Sequence, residues 1–454
     1  MIKKRTYFQD LALIAFLILG IIILGFSGLV NFIPIFVLFL STSLIILKKN
    51  DLVLILFLVL MTTNNLIPKE NFLFGFIGAQ QVLAIICFLI LKTKKNNPNK
   101  LYSPGLLLTN KFLSFLLFYI IYTAFKNMYF DIFDANISVV ASRVINYSFL
   151  TYIIYLIFNK TSHNKLISYR AILSSVIFLG ITSIISNYLI PFGYYISIEG
   201  DALDRYNGFI GNGDANTLAL VMVIGFAMIL NKIAISGWDS YLFIPISISI
   251  ISIGLSGSRS GFLLLIVTII IFLIQIKGKK FVNGAFLFLI LTFLSAPILE
   301  TNINRLKNVS KEQANVNVTS NRVGKWILYT NYFLNNPKSF LLGADKELEV
   351  GWNGSYLVAH NIYLQIIYNA GIIFLIYYLH LICRFILKRQ YYEGNILIML
   401  IPLVVGTLFI SDYGALFFYL FSIMSFIKQD EYVLNNKAKR ISVKLFSLKQ
   451  EINK

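Results

Sequence analysis

Arginine, histidine and amide side chains gather in three polar stretches of a chain that is otherwise one apolar run after another. Residues 254–262 read GLSGSRSGF, in which Arg259 sits among glycines and serines with no acidic residue nearby in sequence to neutralise it. A guanidinium of that kind at a membrane boundary suits a phosphate, because its fork donates to two oxygens at once. The competing reading is an arginine snorkelling to lipid headgroups. Arg322, in NRVGKWILY at 321–329, likewise stands at the start of an apolar, tryptophan-bearing segment, and two such arginines would suit a diphosphate. His360 lies in AHNIYLQIIYNAG, residues 359–371. Its imidazole could take a proton from a sugar hydroxyl; it could equally cap or pack a helix start, and Asn361 beside it could be the cap.

The third stretch, RYNGFIGNGDANTLAL at 205–220, offers softer candidates. Asp201, Asp204, Arg205 and Asp214 could bind sugar hydroxyls or could be only the acidic residues of an outer loop. Asn207 and Asn216 could do the same or cap helices, and Gln365 joins them as a candidate contact for sugar or lipid carrier. Arg143 falls inside an apolar span, where a charge is a functional candidate by default, with pairing to Asp131 or Asp134 as the alternative. His163 and His380 read as structural. DKELEV at 345–350 alternates Asp345, Glu347 and Glu349, a pattern that a divalent ion could use but that a solvated acidic loop explains better. No metal and no cofactor is expected. The Gly-x-Gly of GNGDAN lacks the preceding strand of a dinucleotide fold.

The elements that must position these residues are membrane helices. With 57% hydrophobic and 13% charged residues, the 454-residue chain cannot be a set of soluble domains. A span needs about 20 mostly apolar residues, and such stretches fall near 11–27, 32–47, 52–67, 73–91, 105–125, 137–158, 168–190, 215–231, 240–255, 261–276, 281–298, 356–383, 395–410 and 413–427. The fold expected is an all-α polytopic transmembrane bundle of about 12–14 spans with one large extracytoplasmic loop. Its parts are helices over 1–298, the loop over 299–355, further helices over 356–427 and a basic cytoplasmic tail over 428–454. The KKR at 3–5 resembles a signal peptide, but no small-residue cleavage site follows, so this region reads as the first helix.

A net charge of +19 could suggest nucleic acid, yet no basic-aromatic groove pattern accompanies it, and membrane orientation accounts for it better. Lys48/Lys49, Lys92/Lys94/Lys95/Lys100, Lys160/Lys165/Arg170, Lys232, Lys277/Lys279/Lys280 and Arg384/Lys388/Arg389 fall on one set of connections. Lys69/Glu70, Asp131/Asp134, Glu199/Asp201/Asp204 and Asp412 fall on the other. Both termini then face the cytoplasm, and all three polar stretches face away from it. Cys87 and Cys383 fall at cytoplasmic helix ends, where no disulfide is expected.

At this point the sequence resembles the bacterial O-antigen ligase and polymerase family of polytopic glycosyltransferases. The resemblance rests on SGSRSG after an apolar span, then Arg322 with Trp326, Pro337 and Gly343, then His360 and Asn361 with Leu364, Gln365 and Gly371. It covers roughly residues 205–385, and the first 200 residues match nothing named. It implies a C-type glycosyltransferase fold and inverting transfer of a glycan from undecaprenyl diphosphate to an acceptor hydroxyl, without a nucleotide sugar or a metal. Carried over by motif, Arg259 and Arg322 bind the diphosphate and His360 activates or orients the acceptor. Between two acceptors, a helix count above that associated with ligases and a Lys, Asn and Ile bias favour an O-antigen or capsular polysaccharide polymerase, whose acceptor is a lipid-linked repeat unit. The alternative is an O-antigen ligase acting on lipid A core. The partners expected are lipid-linked donor and acceptor, membrane lipids and a chain-length regulator. A lipid-linked oligosaccharide flippase is the competing class; it would carry internal repeats and mid-membrane charges, and apart from Arg143 the charges gather at one face.

Overall fold

In hydrocarbon every backbone N–H and C=O must be satisfied within the segment that carries it, which leaves the helix as the one open-ended solution for an isolated span. The computed structural model describes residues 4–27, 32–61, 79–93, 104–130, 137–160, 164–185, 215–276, 322–346, 348, 361–406, 423 and 425–427. These residues form a polytopic transmembrane helix bundle, all-α apart from one isolated antiparallel bridge between Tyr392 and Ile427. The first seven helices are α1 (Lys4–Phe26), α2 (Ile33–Ile46), α3 (Asn50–Met61), α4 (Ala79–Lys92), α5 (Pro104–Tyr129), α6 (Ile137–Lys160) and α7 (Asn164–Ile184). There follow α8 (Ala215–Ser236), α9 (Phe243–Leu255), α10 (Arg259–Gln275), α11 (Arg322–Asn335) and α12 (Pro337–Leu342). The last three are α13 (Ile362–Ala370), α14 (Ile372–Leu387) and α15 (Leu397–Gly406). Among the described residues, Thr6–Leu24, Gly105–Tyr129, Lys165–Ile184 and Ala215–Ser236 are long and apolar enough to cross a bilayer unaided.

α8 is the pillar. Its sequence is apolar on every side, and a helix of that kind must be enclosed; residues from Leu218 to Leu230 are buried without a gap. α7, α9, α10 and α15 surround it. Where α7 meets α9 the hydroxyls of Ser183 and Ser252 are 3.0 Å apart, the small-residue packing that lets membrane helices approach. On the other side of the bundle α5 packs along α14 through a ladder of rings, with Phe112 and Phe115 each 5.9 Å from Tyr378 and Phe118 stacked 5.5 Å from Phe374.

Polar contacts fix the end of the bundle where α8 stops. Asn231 accepts from the backbone N–H of Asn395 at 2.9 Å, and Lys165 pairs with Glu393. Arg170 grips Asp10 through two hydrogen bonds of 2.8 and 2.6 Å, with both side chains almost fully buried. Glu393 donates its N–H to Phe426 at 2.7 Å, so both the first described turns of the chain and the last described residues lie at this end.

Four expectations change. α1 begins at Lys4, well before residue 11, because Asp10 is neutralised inside the protein and need not stay in water. Arg170, grouped with the connection charges, lies inside α7 and is paired. Part of the 299–355 loop is helical, as α11 and α12. The span expected over 356–383 is broken at Gly371, whose φ of +89° is open to glycine alone. Along one helix Tyr363 and Tyr378 would stand about 22 Å apart, yet their rings are 6.0 Å apart, so α13 folds back against α14 as a short hairpin. The expected spans at 281–298 and, but for its last few residues, 413–427 lie outside the described residues.

A buried ion pair that loses one partner leaves an uncompensated charge, a loss of about 3–5 kcal/mol. Asp10→Ala and Arg170→Met should each lower the thermal unfolding midpoint in detergent sharply. Asp10→Leu combined with Arg170→Met should recover most of the loss, and single variants no worse than the double would show that the pair is not isolated from water.

Candidate functional site

The first polar stretch folds into a turn that its own serines hold. Ser258 is the N-cap of α10, its hydroxyl accepting from the N–H of Gly261 at 3.2 Å, as Ser, Thr, Asn and Asp do at helix starts. The same hydroxyl donates to Oδ1 of Asn216 at 2.9 Å and lies 3.1 Å from that of Ser260. One residue later the backbones close: Gly261 faces Ala219 so tightly that a Cβ at 261 would drive into the alanine methyl. Arg259 is therefore the first residue of α10, directly beside the start of α8. Its side chain lies outside what is described, as do those of Arg143, inside α6, and Arg322, the first residue of α11.

The second start is that of α13. Asn361 is its N-cap, almost fully buried, with Oδ1 accepting from the N–H groups of Tyr363 at 3.0 Å and Leu364 at 3.2 Å. Gln365 donates to Asn369 at 3.1 Å, and Asn369 donates to the hydroxyl of Tyr119 at 2.8 Å. Asn216, Asn361 and Gln365 are thus all engaged within the protein, and the capping role weighed for Asn361 is the one its geometry has. His360, immediately before that cap, lies outside the described residues with His163, Asp204 and Arg205. His380 stacks on Tyr377 with ring centroids 6.3 Å apart, on the exposed side of α14; because of the break at Gly371, no single helix spaces it from His360.

α15 joins the two starts. The hydroxyl of Tyr363 donates to the carbonyl of Val404 at 2.7 Å, and Gly406, two residues on, faces Leu220 of α8 and Leu264 of α10. Leu220 and Leu264 are each about 7 Å along their helices from the first residue. The starts of α8, α10 and α13 therefore share one end of the bundle, opposite the end fixed by Asp10, Arg170 and Glu393. α11 reaches that end by another route, packing Tyr329 on Tyr368 of α13 with centroids 5.3 Å apart.

One polar feature here, Lys126, went unnoticed in the sequence, and another, Asp345, is more than part of a solvated acidic loop. Lys126, in the last turn of α5, is buried, and its ammonium donates to the carbonyls of Ala344 at 2.6 Å and Tyr368 at 3.3 Å, clamping the α12–α13 connection and α13 to the bundle. A lysine within an apolar helix carries the same flag as Arg143. Asp345 accepts from the hydroxyls of Tyr332 at 2.8 Å and Ser339 at 3.3 Å. The Tyr332 bond holds its carboxyl below the usual range, so this residue is tied into the loop and is not merely solvated. Among the described residues no cluster could hold a metal ion; Glu347 and Glu349 lie outside them.

Residues 244–379 match a family model described as O-antigen ligase. No curated protein and no solved structure matches the chain. The matched stretch runs from α9 into α14 and takes in Arg259, Arg322, His360, Asn361 and Gln365, whereas Arg143, Asp204, Arg205 and Asn216 fall outside it.

Two substitutions test this geometry by thermal unfolding in detergent. Asn361→Ala should cost about 1 kcal/mol, the ordinary value of a lost cap. Gly371→Ala should cost more, since its backbone conformation alone carries a penalty of about 1–3 kcal/mol for any other residue and a Cβ would meet the carbonyl of Leu341. A Gly371→Ala protein as stable as the parent would mean that α13 and α14 are not hinged there.

Proposed function

We propose that this chain, whose residues 244–379 match a family model described as O-antigen ligase, transfers a glycan from undecaprenyl diphosphate to an acceptor hydroxyl at the end of the bundle where α8, α10 and α13 begin. The observation that carries the reading is that one family match covers Arg259, Arg322 and His360 in order, while the starts of α10 and α13 share an end of the bundle. In this reading the acceptor oxygen attacks the anomeric carbon as the bond to the diphosphate breaks, inverting the centre. The leaving group departs with its electron pair as a lipid diphosphate. Arg259 and Arg322 stabilise the negative charge where it develops, and His360 takes the acceptor proton. Arg143, Asp204 and Arg205 remain proposed contacts for sugar or carrier.

The working end faces away from the cytoplasm of a bacterial plasma membrane, with both termini on the cytoplasmic side. That orientation rests on the alternating lysine and arginine content of the connections. Between the two acceptors, the description of the matched model favours ligation to lipid A core over polymerisation on a second lipid-linked unit. The earlier preference for a polymerase rested on helix count and composition, which bear on the acceptor only by analogy.

Four alanine substitutions, one of them a control, and a deletion test the proposal. Arg259→Ala and Arg322→Ala should each lower transfer by about 100-fold or more, the usual loss of a group that stabilises developing charge, while leaving the protein in the membrane. His360→Ala should also abolish product, and His163→Ala should not. Deleting the gene should leave lipid A core without any repeat unit; core capped by a single repeat would instead establish the polymerase reading. Normal polymer from both arginine variants would end the diphosphate role.

A further inference from the structure

The helices within the loop turn their barest apolar side chains away from the protein. α11 packs Tyr329, Tyr332 and Phe333 inward, and all three are buried. Its opposite side carries Ile327 and Leu334, seven residues and so about two turns apart, and Leu334 is 73% exposed. Leu328, and Leu341 and Leu342 of α12, are each about half exposed, with Asn331, Asn335 and Lys338 also at the surface between them. A helix standing in water does the reverse, directing aliphatic residues inward and polar ones outward, and an aliphatic surface of this kind marks an interaction.

The neighbourhood identifies the occupant. The hydroxyl of Tyr122 donates to the carbonyl of Leu342 at 2.8 Å, and the Tyr122 ring is 5.0 Å from that of Phe374. α12 therefore sits on the ends of α5 and α14, whose exposed Phe118, Phe125, Ile373 and Ile376 are the side chains that spanning helices turn to lipid. The exposed leucines of α12 continue that surface.

We propose that α11 and α12 lie in the headgroup and acyl boundary of the bilayer, with Ile327, Leu334, Leu341 and Leu342 among the acyl chains, and do not stand in water. Amphipathic helices bound in this way sink about 5–10 Å into the boundary. The occupant is bilayer lipid. If the transferase reading above also holds, this seat keeps the start of α11, and with it Arg322, at the level of a lipid diphosphate; the seat itself does not depend on that reading.

The test places nitroxide labels on the full chain in vesicles of phosphatidylethanolamine and phosphatidylglycerol. Cys383→Ser removes the exposed native thiol and leaves only the buried Cys87. Labels go at Leu334→Cys and Leu341→Cys, with Leu379→Cys on the exposed side of α14 as the lipid reference and Ser240→Cys at the far end as the water reference. Collision with oxygen and with a soluble nickel chelate should set both loop labels about 5–10 Å below the phosphates. Labels relaxed by the nickel chelate as freely as the one at 240 would overturn the proposal. So would dipolar broadening between copies at 334 or 341, which would make the occupant a second chain. Because no step reads glycan transfer, failure here leaves the transferase reading standing, and failure there leaves this one.

Discussion

The closeness with which α8 admits α10 governs the working end of this bundle. Helices in lipid gain nothing by hiding apolar surface from one another, so they assemble where small residues let backbones approach and dispersion accumulate. Gly261 against Ala219 is such a place. It lies one turn from the Ser258 hydroxyl that binds Asn216, so the contact that brings the helices together also sets where Arg259 leaves the backbone. α15 then docks on both, bringing with it the carbonyl that receives Tyr363. A larger residue at 261 would shift the start of α10, and Arg259 with it, from one turn away.

The two ends of the bundle use polarity in opposite ways. At the end near Asp10, polar groups are matched to one another: buried Arg170 by a carboxylate, the partly exposed Lys165 by Glu393, and the Asn231 amide by backbone of the neighbouring turn. At the other end buried polar side chains arrange backbone and fix where the helices start. Ser258 and Asn361 cap α10 and α13, and Lys126 pins the connection between α12 and α13. Helix starts concentrate unsatisfied N–H groups and a partial positive charge, the surrounding that the proposed diphosphate leaving group would need.

Much of this was legible in the residues, and the misses have physical causes. The apolar runs located the helices because a span must be long and nearly uncharged, and the serine and glycine content of SGSRSG foretold the turn before α10. Gly371 was missed because Ala370-Gly371 inside an apolar run differs little in composition from continuous helix; only the left-handed backbone there makes the hairpin, and pattern does not report it. Lys126 was overlooked and Arg170 misjudged because a charge near the end of a span looks the same in sequence whether it reaches water or a buried partner. The apolar segment after Arg322 was visible in sequence, but Leu334 and Leu341 lie among asparagines and lysines, and their common exposure with Ile327 appears only once the helices are built. For His360, Asp204 and Arg205 the reading remains one of motif and order in the chain.

The central claim is that the starts of α10 and α13 share a side of the membrane, away from the connection between α8 and α9. Single cysteines at Ser260→Cys, His360→Cys and Ser240→Cys, in a chain with Cys87 and Cys383 replaced, can be offered a membrane-impermeant maleimide on intact cells stripped of any outer barrier. Labelling at 260 and 360 without permeabilising the plasma membrane, and at 240 only after it, is the outcome expected. Labelling of 260 and 360 from opposite sides would contradict the account.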